Sequence, residues 1–311
     1  MAAHDTYGTP PPRRSRAEAG VSRRSLLRLG RTAAARAEID YDGATARVAE
    51  QWSQGDPQAL LRALEPVADV VATVAAVTSS DRVLDVGAAD GNVALACAER
   101  CARVDACDLA AAMVERGRAR CEGSVRWRQA DVQALPYPDA SFDAVLSAFG
   151  APLAPRAGAT ARELIRVCRP GGRVVIAAWV PRGLPGRMFE LLETIRPLPD
   201  GIRSPADWGL QSVARRRLAP LVDELELRTR TVALRFASAD AFFDALAPPD
   251  LAPGERARIR PGFDRLLASS NNRPPAVEVD ARYLVIAGCR RQAVSAESAT
   301  ADPAGGAARS G

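Results

Sequence analysis

From residue 82 onward, short apolar runs alternate with amphipathic stretches. Five runs are apolar and rich enough in β-branched residues to predict buried strands, at 82–87, 103–107, 124–128, 142–147 and 173–180. Helical periodicity falls between them, near 91–100, 110–121 and 158–168. This alternation predicts an α/β fold, a parallel sheet with crossover helices. Arg169-Pro170-Gly171-Gly172 stops the last of these helices before the apolar run Val174 to Trp179.

On either side of this block the pattern is less regular. Residues 44–54 predict a short helix carrying Trp52. Asp56-Pro57 reads as the N-cap and first residue of the next helix, which Pro66 is expected to split. An apolar stripe continues beyond it through Val67, Val70, Val71, Val74 and Val77. Residues 181–205 are punctuated by Pro and Gly around a short helix at 186–195, and Ser204-Pro205 opens a helical region reaching about 222. Strands follow at 225–236 and 280–289. Between them lies an inserted segment, 239–275, with a helix around Ala241 to Leu246. Residues 1–40 and 292–311 show no apolar period and read as disordered tails around one domain, 41–291, with acceptor-side insertions within 181–275.

Composition narrows the chemistry. The apolar share of 47% suffices for a core. All 42 basic side chains are arginine, so lysine Schiff-base or general-base chemistry is excluded. The single histidine is His4, within the tail. Of the net charge of +5, residues 1–40 supply +4, from eight arginines against Asp5, Glu18, Glu38 and Asp40. The remainder is near neutral, unlike the basic face of a nucleic-acid reader. Ser22-Arg23-Arg24-Ser25-Leu26-Leu27-Arg28 looks like a twin-arginine export signal, but Arg31 and Arg36 interrupt the apolar stretch that such a signal needs. No run of eighteen apolar residues predicts a membrane span. None of the six cysteines forms a C-x-x-C pair. Cys97 and Cys101 stand one helical turn apart, and all six read as small buried side chains of a reduced, cytoplasmic protein without a metal site.

The most telling stretch is Val83-Leu84-Asp85-Val86-Gly87-Ala88-Ala89-Asp90-Gly91-Asn92, a buried strand running into a glycine turn and then a helix. Such a turn lets backbone N–H groups approach a small polar ligand. Its small positions are 87, 89 and 91, whereas a dinucleotide fingerprint would require a small residue where Asn92 stands. Two acids follow at successive strand ends. Asp108 closes the second strand, where a carboxylate accepts from both ribose hydroxyls of an adenosine ligand. Asp131 follows the third, where it can accept from the exocyclic amine of adenine.

The turn resembles motif I, usually G-x-G-x-G, of the class I S-adenosylmethionine (SAM)-dependent methyltransferases, with Ala89 in place of the middle glycine. Leu135-Pro136-Tyr137-Pro138-Asp139-Ala140-Ser141-Phe142-Asp143 looks like the Leu-Pro-Phe-x-Asp-x-Ser-Phe-Asp run of the ubiquinone/menaquinone-biosynthesis-like branch. Glu163-Leu164-Ile165-Arg166-Val167-Cys168-Arg169-Pro170-Gly171-Gly172 matches that branch's Glu-Leu-x-Arg-Val-x-(Arg/Lys)-Pro-Gly-Gly signature. Gln51-Trp52-Ser53-Gln54-Gly55-Asp56, Ser204-Pro205 with Trp208-Gly209, and Phe236-x-Ser238 fit a bacterial subgroup. The resemblance implies a Rossmann-like, mostly parallel seven-stranded sheet with helices on both faces and the last strand antiparallel. SAM would lie across the carboxyl ends of the first strands. Asp85, Gly87 and Gly91 would shape the pocket for its methionine part, with Ala88, Ala89 and Asn92 in the same turn. Asp108 and Leu109 would hold the ribose and cover the adenine, which Asp131 and Val132 would meet. Ser147, Ala148 and Phe149 would face the sulfonium and the acceptor. Trp52 reads equally as a lid or as a core anchor.

Methyl transfer from a sulfonium is a direct displacement, so the protein mainly supplies alignment and a dry pocket. A general base is needed only where the acceptor loses a proton, and the sequence singles out none; Glu190 and Tyr283 are candidates without further support. Phe149, Trp179, Phe189, Trp208, Phe242 and Phe243 are candidates for an apolar acceptor pocket. The expected activity is methylation of a small hydrophobic metabolite on O, N or C, as in secondary metabolism. Ser147-Ala148-Phe149-Gly150 stands where amino-methylating nucleic-acid enzymes carry Asn/Asp-Pro-Pro-aromatic, so a nucleic-acid substrate is disfavoured. The alternative is a SAM-binding or degenerate methyltransferase-like protein without catalysis, acting as an accessory subunit, motivated by Ala89 and by a charged Asp90, which otherwise reads as a cap of the next helix. A dinucleotide-dependent dehydrogenase is a third reading, disfavoured by Asn92.

Overall fold

The computed structural model describes residues 39–292, except 101, 102, 272 and 275. His4, the Ser22–Arg28 run, Cys101, and nearly all of the two stretches read as tails lie outside the described residues. Seven strands form one sheet: β1 (Arg82–Val86), β2 (Arg103–Asp108), β3 (Val125–Gln129), β4 (Phe142–Ala148), β5 (Cys168–Trp179), β6 (Val222–Phe236) and β7 (Val277–Arg290). Their order is β3-β2-β1-β4-β5-β7-β6. β1 to β5 pair in parallel, and β7 inserts antiparallel between β5 and β6. The sheet is therefore mostly parallel with its last strand reversed.

Alternation along each strand creates two cores. Val83, Ala144, Leu146, Val175, Ala177 and Val285 face one layer. It is covered by α2 (Gln58–Val74), α3 (Asn92–Ala98), α6 (Leu184–Glu193), α8 (Ala239–Leu246) and α9 (Pro253–Ala268). Leu84, Val86, Val145, Ile176 and Leu284 face the other, under α5 (Ala157–Val167) and α7 (Gln211–Leu218). Two further helices flank the sheet, α1 (Tyr41–Gln54) and α4 (Ala111–Cys121).

Some local expectations are corrected. α2 runs unbroken through Pro66, which lies on the exposed face while Val67, Ala68, Val71 and Ala72 anchor the buried one. The proline's lost hydrogen bond thus falls on the solvent side. α2 also starts one residue later than the Asp56-Pro57 signal, with Asp56 Oδ1 accepting from the Gln58 N–H at 3.3 Å. The helical region after Ser204 resolves into a 3-10 turn, Pro205–Gly209, and α7. The inserted segment holds a second helix, α9, whose Pro253 opens it and whose Pro261 lies inside it. Among the described residues, no helix is long and apolar enough to cross a membrane and no cluster of potential metal ligands occurs.

Candidate functional site

A cavity of about 480 Å³ opens at the carboxyl ends of β1 to β4. Its floor is the turn after β1, Asp108-Leu109 after β2, Ala130–Gln133 after β3 and Ala148–Gly150 after β4. Its cap comes from α1, α6, the 196–205 loop and residues 244–250.

The floor is built by backbone constraint. Gly87 (φ 64°), Ala89 (φ 49°) and Gly91 (φ 97°) all adopt left-handed conformations. A Cβ on Gly87 would sit 2.8 Å from Gly150 Cα, and one on Gly150 would collide with the Gly87 carbonyl, so the turns after β1 and β4 touch through their backbones. The Ala88 N–H donates to the Cys107 carbonyl (3.0 Å) and the Ala89 N–H to Asp108 Oδ2 (2.8 Å), which pins the turn to the end of β2. Ala89 thus keeps the geometry of the glycine it replaces, at a conformational cost of about 1–2 kcal/mol.

Asp108 is half-buried at the cavity wall, and its Oδ1 accepts from the Ala110 N–H at 2.9 Å. Burial holds its carboxyl above the usual range, opposed by these backbone donors. Each carboxylate oxygen retains a lone pair for a further donor. Asp85 is buried at the end of β1, with Oδ2 accepting from the Ala94 N–H (2.9 Å). Its Oδ1 is buried without a hydrogen-bond partner. Burial pushes the carboxyl up to about 8, opposed by the Ala94 N–H and reinforced by the charge of Asp108. Asp131 accepts from the Gln133 N–H (2.8 Å) and side-chain amide (2.9 Å), and Gln133 in turn reaches Thr45 of α1 (3.0 Å).

Asp85, Gly87, Ala88, Ala89, Asn92, Asp108, Leu109, Asp131, Val132, Ala148 and Phe149 line this one cavity. Two expected residues do not. Gly91 packs toward the Trp127 ring and Cys121, where a Cβ would meet Trp127 at 2.9 Å. Ser147 is fully buried. Its hydroxyl donates to the Val86 carbonyl (2.7 Å) and accepts from the Ala151 N–H (2.9 Å), tying β1 to the turn after β4. Asp90 does not cap α3, because Gly91 holds that position without a side-chain bond. It is buried and paired with Arg120 (2.9 Å), and it also accepts from Gln58 (3.4 Å). Asp90 therefore fastens α4 and α2 behind the turn.

Phe149 also adopts a left-handed backbone (φ 66°) and stacks on Trp179 with centroids 3.9 Å apart. Phe149, Trp179 and Phe189 line the cavity together with Trp52, whereas Trp208, Phe242 and Phe243 are buried in the cores. Trp52 is half-buried at the cavity wall and belongs to neither core. Neither Glu190 nor Tyr283 lines the cavity: Glu190 is exposed, and Tyr283 is buried behind Phe149. The lining residues that sequence reasoning missed are those of the cap, among them Arg47, Glu193, Arg196 and Arg203. Arg196 is fully engaged, binding Glu255 (2.7 Å) and Asp250 (2.6 Å), so that α6 is clamped to the start of α9.

Residues 83–172 match the model of a methyltransferase domain. An uncharacterised protein of Mycobacterium tuberculosis is 38% identical over 165 residues, 51% of this chain and 60% of that protein. The chain thus spans less than two thirds of the first curated relatives it matches. The demethylmenaquinone methyltransferase of Deinococcus radiodurans is 34% identical over 174 residues, which cover 72% of that enzyme and 51% of this chain. The chain belongs to the class I SAM-dependent methyltransferase family. It falls in the ubiquinone/menaquinone-biosynthesis-like branch. The YcgJ protein of Bacillus subtilis shares this chain's fold, with a TM-score of 0.54 and 19% identity over 73% of this chain and 98% of that one. The motif I turn and the Arg-Pro-Gly-Gly run both lie within the residues matched by the family model.

Proposed function

We propose that this chain transfers a methyl group from SAM to a small hydrophobic acceptor in the cavity above the turn after β1. The observation that carries this reading is the Asp85 carboxylate, whose Oδ1 is buried at the cavity floor without a partner. An orphaned buried carboxylate oxygen calls for a cationic or N–H donor partner. The α-ammonium group of SAM is such a donor, and Asp108 and Asp131, at the ends of β2 and β3 on the same cavity, offer acceptors for its ribose and adenine. The residues present therefore fit SAM. Bound there, it supplies a methyl group already activated by a sulfonium.

The chain's own residues do the rest. Asp85 would hold the ammonium, Asp108 the ribose hydroxyls, and Asp131 with Val132 the adenine. The Gly87–Gly150 contact removes side-chain bulk from the floor, and Phe149 with Trp179 presents an apolar wall that excludes water. Alignment in a dry pocket can contribute up to about 7–11 kcal/mol to such a displacement. Isothermal titration of the full chain with SAM tests this. Saturable binding, weakened at least tenfold by Asp108→Ala, is expected. No binding at millimolar SAM would overturn the reading, and wild-type affinity in Asp108→Ala would overturn the placement of the ribose.

A further inference from the structure

We propose that Glu193 is the acceptor-binding carboxylate and general base of this site. The acceptor is accordingly an apolar molecule that presents an O–H or N–H at the methylated atom. This rests on the methyl-transfer reading above. Glu193 is the last residue of α6 and lines the cap side of the cavity. Its Oε1 is buried and has no hydrogen-bond partner. The other acids of the cap are satisfied: Asp250 binds Arg196 (2.6 Å), Asp244 pairs with Arg256, and Asp56 pairs with Arg116 (3.6 Å). Glu50, on α1, accepts from the Gln54 amide at 2.7 Å. Arg196, only three residues beyond Glu193, is committed to Glu255 and Asp250. No basic residue occupies the last turn of α6.

A carboxylate at a helix C-terminus faces the negative end of the helix dipole, and a buried unpaired oxygen adds a desolvation cost. Both features oppose folding, and a break in local rules on a cavity wall points to function. The same cavity carries Trp52, Phe149, Trp179 and Phe189, so a ligand meeting Glu193 meets aromatic surface as well. The two carboxylates with an unpartnered oxygen among the residues lining this cavity divide the work. Asp85 at the floor takes the cation of the cofactor, and Glu193 at the cap takes the proton of the acceptor.

The step balances. The acceptor heteroatom bonds to the methyl carbon, and the carbon–sulfur bond breaks with its electron pair passing to sulfur, which becomes neutral. The proton leaves the heteroatom for Glu193 Oε1 and then passes to solvent. Glu193 supplies no electrons and forms no covalent bond.

The test uses the full chain saturated with S-adenosylhomocysteine, with 2-naphthol and 2-methoxynaphthalene as probes that differ in one O–H. Calorimetry is expected to show 2-naphthol bound at least tenfold more tightly than its ether. Glu193→Ala should erase that preference while leaving SAM affinity within twofold. Glu193→Gln, which keeps an acceptor oxygen but no base, should retain most of the preference and, with SAM in place of S-adenosylhomocysteine, lose the conversion of 2-naphthol to the ether that the wild-type chain carries out. Equal affinity for the two probes, no binding of either, or an undiminished preference in Glu193→Ala would overturn the assignment. Failure of the wild-type chain to bind SAM would instead overturn the methyl-transfer reading on which it rests.

Discussion

The floor and the cap of the cavity are held together by different forces. On the floor, backbone touches backbone: Gly87 lies against Gly150, and the Ala88 and Ala89 N–H groups are tied to the end of β2. In the cap, helices are clamped by side-chain ion pairs such as Arg196 with Asp250 and Glu255. Backbone packing tolerates no added atom, whereas partly exposed ion pairs contribute little each and rearrange readily. A floor that binds one fixed cofactor and a cap that adapts to different acceptors within a family is the division of labour this predicts.

The largest break in that contrast is Gly87→Val. A branched side chain at φ 64° against the Gly150 backbone should cost about 2–5 kcal/mol, combining left-handed strain with overpacking. Urea denaturation with an unchanged m-value checks this. A loss below about 1 kcal/mol would mean that the floor yields as the cap does. Arg196→Ala should cost about 1 kcal/mol or less in the same assay, because the pairs it removes are partly solvent-screened. Its effect should instead appear as increased hydrogen exchange in 247–256, with SAM affinity unchanged within twofold. The smallest effect is a gain. Ala89→Gly relieves the left-handed strain at φ 49° but loosens the unfolded chain, for a net stabilisation of about 0.5 kcal/mol. Destabilisation there would show that the Ala89 methyl makes a contact worth more than its strain.

The same contrast explains what could be read from the chain alone. Strands β1 to β5 and the acids Asp85, Asp108 and Asp131 were legible because each belongs to a local pattern: an apolar run, a glycine turn, or an acid at a strand end. α9 was not, since prolines, which remove a backbone donor and usually interrupt a helix, occupy its first residue, Pro253, and its interior, Pro261. Asp90 looked like a defect in the motif until Arg120, thirty positions away in sequence, appeared beside it. The cap residues were missed for the same reason. Glu193 carries no local motif, and its significance lies in the absence of a partner that only the assembled fold can reveal. Ser147 and Gly91 were misplaced because a motif position fixes the backbone path, not the direction in which each residue faces.

Protonation of Asp85 offers the most direct measurement. In the free chain its carboxyl is raised to about 8, above the ordinary aspartate value near 4. The folded state then holds a proton that the unfolded state has lost between those values. Stability without ligand should therefore fall as pH rises from about 4 toward about 8, and level off above. Binding of the SAM ammonium favours the ionised carboxylate, so below pH 8 binding must release a proton. Titration calorimetry of SAM at pH 6.5, in buffers of differing ionisation enthalpy, should show close to one proton released. Affinity should rise by up to about tenfold per pH unit toward pH 8, where the ammonium itself begins to deprotonate, and Asp85→Asn should abolish the release. SAM binding with no proton release and a flat affinity between pH 6 and 8 would contradict the placement of the cofactor's cation on Asp85.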